Sequence, residues 1–205
     1  MHPNPAFRGT ERERSLAFVR DRGFGTLAAN GPDGPLLSHV PLLLSDDAAS
    51  ADLHLVRSNP LARLDGPTPV TLAVTGPDGY ISPDWYGVPD QVPTWNYVAV
   101  HLRGRLERLP DAVMRDMLDC QSAAYENRLP KTPWTTAKMT PDVLDRMLRQ
   151  IVPLRLHIED VQSTWKLSQN KPDAVRLAAA DRVPGGIGQD LSTLSDLMRD
   201  LPGAG

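Results

Sequence analysis

Leu36-Leu37-Ser38-His39-Val40-Pro41-Leu42-Leu43-Leu44 reads as a strand with two apolar faces. Successive side chains of a strand point to opposite sides of a sheet. The even face carries Leu36, Ser38, Val40, Leu42 and Leu44, and the odd face includes Leu37 and Leu43. A strand wetted on one side alternates apolar with polar, so this stretch predicts cover on both sides. In a β-rich chain one face would line a barrel. The other would meet a helix or a second subunit.

Working outward, Gly31-Pro32-Asp33-Gly34 predicts a tight turn, because Pro presets φ and Gly tolerates positive φ. Gly25–Ala29 is then the partner strand of a hairpin. Before it, Thr10 and Glu13 have capping-box spacing, Leu16, Phe18 and Val19 supply apolar surface, and Gly23 supplies a stop, which together predict a helix. Beyond the hairpin, 51–57 and 69–75 read as strands, with a short helix at Pro60 capped by Ser58 or Asn59. A second Gly-Pro-Asp-Gly, at Gly76–Gly79, predicts another turn. The prolines of 81–93 exclude a regular interior strand there. Thr94–Arg108 is a long strand, with Val98, Val100, Leu102 and Leu106 on its core side and Trp95, Tyr97, Ala99, His101, Arg103 and Arg105 opposite. Helices follow at 111–126 and from Pro141, then a strand at 154–158 and helical patterns at 172–182 and 191–201. The glycines at 185, 186 and 188 mark a hinge before a tail that is either mobile or packed on a neighbour. The expected division is one domain over 1–182 and a tail over 183–205 with a short helix.

The chain has 205 residues, enough to bury a core without covalent staples. A net charge of −3 gives no electrostatic pull toward nucleic acid, and no DNA-reading motif stands out, which argues against direct DNA binding. One cysteine, Cys120, excludes an intrachain disulfide and reads as a buried or half-buried helix residue. No apolar run reaches the roughly 20 residues of a membrane helix, and the N-terminus turns charged at once. A cytoplasmic protein without membrane attachment is expected. GxSxG, Walker, GxGxxG and HExxH signatures are absent. His39, His54 and His101 fall on separate strands and read as ordinary strand histidines, so no metal site is expected.

Aromatic residues are only 5% of the chain, so their clustering is informative. Tyr80-Ile81-Ser82-Pro83-Asp84-Trp85-Tyr86 leads into Pro93-Thr94-Trp95-Asn96-Tyr97, and Trp165-Lys166-Leu167-Ser168-Gln169-Asn170 joins a Trp to a cation, a hydroxyl and two amides. Arg57-Ser58-Asn59-Pro60 places a cation at a strand end before a helix start, where exposed N–H groups favour a phosphate. The combined reading is a small polar-aromatic ligand, with or without a phosphate.

These strings, with Ser38-His39-Val40-Pro41-Leu42 and the Val98-to-Gly104 continuation, resemble the hallmark stretches of PaiB-type, FMN-binding negative transcriptional regulators, over about Pro3 to Leu177. The resemblance implies a mainly β fold, a split β-barrel with peripheral helices akin to pyridoxamine-phosphate oxidase, that dimerises with FMN at the subunit interface. It implies that His39, Val40 and Pro41 flank the flavin and that Arg57, Ser58 and Asn59 approach its phosphate or ribityl chain. Trp95, Asn96 and Tyr97, with Trp165, Lys166, Ser168 and Gln169, would complete the pocket from the partner subunit. The match is loose at Leu53–Arg57, and the Gly87–Gln91 loop and the tail beyond Asp181 are not diagnostic. The implied roles are a flavin-dependent oxidoreductase or a flavin-linked regulator; no convincing general acid stands out in the sequence, His39, His101 and Tyr97 being the residues that could serve. A repressor acting on DNA and a haem-binding split barrel are the alternatives.

Overall fold

The computed structural model describes residues 1–64 and 66–203. Its strands are β1 (Phe24–Gly31), β2 (Gly34–Pro41), β3 (Leu43–Leu44), β4 (Ser50–Val56), β5 (Thr68–Ile81), β6 (Thr94–Arg108), β7 (Ile151–Lys166) and β8 (Gly188–Gln189). The helices are α1 (Arg12–Arg22), α2 (Met114–Glu126), α3 (Pro141–Leu148), α4 (Asp173–Ala180) and α5 (Leu191–Arg199). The sheet runs β2-β1-β5-β6-β7-β4-β3, with β8 on β5. β1 pairs antiparallel with β2 and β5, β4 with β3 and β7, and β5 with β8, and β2 and β3 end the hydrogen-bonded path, so the ladder does not close into a barrel.

The chain divides into two compact units: unit I is Met1–Phe18, Val74–His101 and Val161 onward, and unit II is Val19–Ala73 and Leu102–Asp160. In unit II, Leu53 of β4 lies opposite Leu154 of β7 and Leu55 opposite Val152, and all four are buried. Gly104 of β6 marks a close backbone approach: a Cβ there would lie 1.8 Å from the His157 carbonyl oxygen. Tyr125 of α2 donates its hydroxyl toward the carbonyls of Gly23 and Leu42, at 2.6 and 2.8 Å, tying the helix to the end of α1 and the chain after β2. In unit I, Ile81, Val98, Trp165, Leu167, Ala179, Val183, Leu194 and Met198 form one buried cluster. The residues after 182 contribute to it through Val183, Leu194 and Met198, and β8 pairs Asp78 with Gln189.

Several expectations change. The first Gly-Pro-Asp-Gly is a hairpin turn, with Gly34 at φ 125°, but the second lies inside β5. Gly76 and Gly79 do not adopt positive φ; they make room, since a Cβ would meet Phe18 at 2.7 Å and Leu194 at 2.8 Å. The 36–44 stretch breaks at Leu42, whose N–H donates to Gly23 O at 2.9 Å instead of continuing a ladder. Its even face is covered, Val40, Leu42 and Leu44 being buried, but the chain leaves the odd face open, with Leu37 64% exposed. β7 is sixteen residues long where five were expected, because its polar second half pairs without an apolar alternation to reveal it. α1 starts at Arg12, after Thr10 rather than beside it. Cys120 is exposed, since the buried face of α2 is set by Met114, Met117 and Gln121.

Candidate functional site

The expected binding residues fall into two groups, one in each unit. In unit II, residues opposite one another in the register share a face: Leu37 with Ala28, His39 with Thr26, Pro41 with Phe24, and, across β1, Thr26 with Ala73 and Ala28 with Thr71. This outer face is apolar and uncovered by unit II itself, Phe24 being 50% exposed. His39 is exposed on it, with Nδ1 3.0 Å from Thr26 Oγ1. Val40 points the other way and is buried, so it can present only its backbone to a ligand on the His39 side.

Arg57 follows β4. Its Nε donates to Arg149 O at 3.0 Å, and its Nη2 donates to Ile151 O at 3.1 Å and Asp111 Oδ2 at 2.9 Å. Arg108 Nη2 donates to the other oxygen of Asp111 at 3.2 Å. Desolvation opposes the Asp111 charge, but the bonds and charges of Arg57 and Arg108 outweigh it and hold the carboxyl below its usual range. Two guanidiniums around one carboxylate leave a positive excess at the strand end. Ser58 is exposed. Asn59 caps the 3-10 helix Pro60–Arg63 through Oδ1, which accepts from Leu61 N at 2.9 Å, and its Nδ2 donates to Ser38 Oγ at 3.0 Å. That bond ties the Arg57–Asn59 turn to β2 at Ser38, whose side chain lies on the covered face, opposite to Leu37 and His39. Of the unit II group, His39 and Pro41 share the open face of β2, and Asn59 meets the same strand from its other face through Ser38.

In unit I, Trp95 is 47% exposed and packs edge-on against Tyr80, with ring centroids 6.4 Å apart. Trp95 and Tyr97 line an open groove of about 440 Å³ with Thr75, Gly76 and Ala99. Trp165 is buried: its indole N–H donates to Ser15 Oγ at 3.2 Å and its ring meets Phe18 edge-on. Gln169 is also engaged within the unit, accepting from Leu167 N at 2.8 Å and donating to Ala6 O at 3.1 Å. Trp165 and Gln169 thus shape the turn that carries their neighbours. Ser168, at φ 62°, is the node of that turn; its Oγ bonds Tyr86 OH and Asn96 Nδ2, both at 2.9 Å. Lys166 donates to Thr94 Oγ1, and burial pushes its ammonium below the usual lysine range. Asn96, Lys166 and Ser168 line a second cavity, of about 230 Å³. Tyr86 and Lys171 line it too, the first inside and the second just after the strings quoted above, where nothing local marks either as a cavity residue. His2, Asn4 and Phe7 complete it from the N-terminal segment, where no motif points to them.

Among the described residues no three His, Cys, Asp or Glu side chains gather as a metal site, and no helix is long and apolar enough to cross a membrane.

The solved structure of the FAD and heme binding protein from Mycobacterium smegmatis matches with a TM-score of 0.57 at 19% identity, over 77% of this chain and 72% of that one. The flavocytochrome Anf3 from Azotobacter vinelandii matches at 0.55 and 14%, over 76% and 67%. An antiparallel sheet of this order with peripheral helices, similar in fold to those chains, defines the split-barrel class. Residues 1–160 match the family described as "Putative FMN-binding domain", and the chain belongs to that family. Its relative "Protease synthase and sporulation protein PAI 2" of Bacillus subtilis (strain 168) is 29% identical over 197 residues, spanning 95% of this chain and 94% of the relative. FMN is the cofactor of this domain.

Proposed function

We propose that the protein is a homodimeric FMN flavoprotein and a flavin-linked oxidoreductase, with the isoalloxazine lying on the outer face of β1 and β2. The observation that carries this reading is the open apolar face bearing Phe24 and Leu37, 50% and 64% exposed, on a hairpin whose end strand also holds a turn with a cationic excess. An apolar platform with a few convergent polar groups is what a flat cofactor requires. The Asn59–Ser38 bond anchors the turn to β2 from its covered side, and β2 is an end strand, so a phosphate reaching Arg57 and Ser58 would pass around the free edge of β2 from a ring lying on the open face. The residues present therefore fit the cofactor. A second copy covers the rest of the face and supplies Trp95 and Tyr97 of its own chain.

When bound, FMN supplies the electron-transfer chemistry. The chain's residues bind and orient it, and the second copy excludes water. His39 carries the imidazole of this face; because Nδ1 is held by Thr26, Nε2 is the atom available to hydrogen-bond a reacting molecule. A direct DNA-reading role has no support in a chain of net charge −3.

The experiment is titration of the protein with FMN, followed by flavin fluorescence and by absorption. Saturable quenching at micromolar protein, with two bands in the near-ultraviolet and blue, is expected. Unquenched fluorescence would refute the flavin reading, and an intense Soret band in the purified protein would replace it with haem.

A further inference from the structure

The 230 Å³ cavity of unit I lies below the roughly 300–1,000 Å³ of pockets that hold cofactor-sized molecules. Among the described residues its lining includes two lysines and no Asp or Glu. Lys166 donates to Thr94 Oγ1 and lies 5.9 Å from the centre of the Phe7 ring; Lys171 lies 5.3 Å from the centre of the Tyr86 ring and donates to Gln91. Neither ammonium has an anionic partner within the cavity.

Asn96 gives the second, independent observation. Its side chain is fully buried; Nδ2 donates to Ser168 Oγ at 2.9 Å and lies 3.4 Å from Met198 Sδ, yet Oδ1 meets no hydrogen-bond donor among the described residues. A buried acceptor left unpaired bears the full desolvation penalty, and native proteins satisfy nearly all such groups. Its missing partner must be a donor, whereas the lysines call for an anion. One small molecule can be both.

We infer that the cavity between Asn96, Lys166 and Lys171 is a second small-molecule site, separate from the flavin, for a small oxyanion that carries its own proton donor. Monohydrogen phosphate and the 2-hydroxycarboxylates share this chemistry. The ammonium groups neutralise the anion, and its O–H donates to Asn96 Oδ1. An anion of the same shape without a proton, such as sulfate, would press lone pair against lone pair at that oxygen.

Calorimetric titration of the FMN-saturated protein at neutral pH tests this with two pairs of probes: inorganic phosphate against sulfate, and glycolate against acetate. The donor-bearing member of at least one pair should bind tighter by on the order of tenfold, the worth of one buried hydrogen bond. Preference for phosphate identifies a phosphate source, and preference for glycolate a carboxylate one. Equal binding within both pairs, or no binding, overturns the inference. Lys171→Gln should weaken the preferred anion by about tenfold; unchanged affinity in that variant also overturns it. So does a discriminating site that is present without FMN and lost when FMN saturates, because the cavity would then belong to the cofactor. If the protein binds no FMN but still discriminates between the anions, the proposed flavin function fails while this site stands.

Discussion

Gly104→Ala isolates the feature that lets β6 and β7 pair. The new Cβ would sit 1.8 Å from the His157 carbonyl oxygen, 2.9 Å from its carbon and 3.1 Å from Glu159 N, all backbone atoms that no rotamer change can move. A carbon comes no closer to a carbonyl oxygen than about 3.3 Å even in favourable strand contacts, so the strands must part locally by roughly 1.5 Å. That carries neighbouring N–H···O distances past the hydrogen-bonding limit of about 3.2 Å. Overpacking of this kind costs about 1–3 kcal/mol, and two lost ladder bonds add about 0.5–1.5 kcal/mol each. The sum, about 2–6 kcal/mol, is a large share of the roughly 5–15 kcal/mol that holds a domain together. At about 2–4 °C per kcal/mol for a chain of this size, the Tm should fall by roughly 4–24 °C in thermal unfolding followed by circular dichroism. A Tm within 2 °C of the parent would show that the strands are not in close backbone contact at Gly104, and the register of this part of the sheet would be wrong.

Arg57→Ala should weaken FMN by about tenfold to a hundredfold, the range of one charge-assisted bond, and riboflavin far less; equal losses in parallel fluorescence titrations would remove Arg57 from the phosphate. Leu37→Arg should leave the Tm within a few degrees, since an exposed change costs at most about 0.5 kcal/mol in the folded chain, but should abolish dimers in sedimentation velocity; a persisting dimer would place the interface elsewhere. His54 on β4 is half-buried, and burial lowers its pKa against the opposing bond from Gln121. The unfolded chain then binds the proton more readily, so stability present above pH ~6.5 is lost as pH falls from there toward the lowered folded value. His54→Phe should flatten the decline in urea midpoint between pH 7.5 and 5.5, and an unchanged slope would show that another group drives it.

Much of the sheet was legible because its signals are local. β6 spans Thr94–Arg108 as its alternation predicts, and the hairpin at Pro32-Asp33 follows from turn chemistry alone. The same four residues at Gly76–Gly79 mislead because what decides them is not local: β8 pairs with Asp78 and Gly79, and Phe18 and Leu194 need the space that a side chain would take. The polar half of β7 was hidden for a related reason, since hydrogen bonding to neighbours rather than apolar burial makes it a strand. At the candidate site, residue type revealed that Trp165 and Gln169 matter without revealing how: both spend their polar groups inside unit I, on Ser15, Leu167 and Ala6. Likewise the unpaired oxygen of Asn96 depends on where Ser168 and Met198 arrive, and no spacing in the chain encodes that.

Native mass spectrometry of the protein with a small excess of FMN bears most directly on the flavin held between two copies. The dominant species should weigh two chains plus two FMN molecules, with no single chain retaining the flavin. One chain carrying FMN on its own, or a two-chain species whose mass is unchanged by FMN, would contradict it.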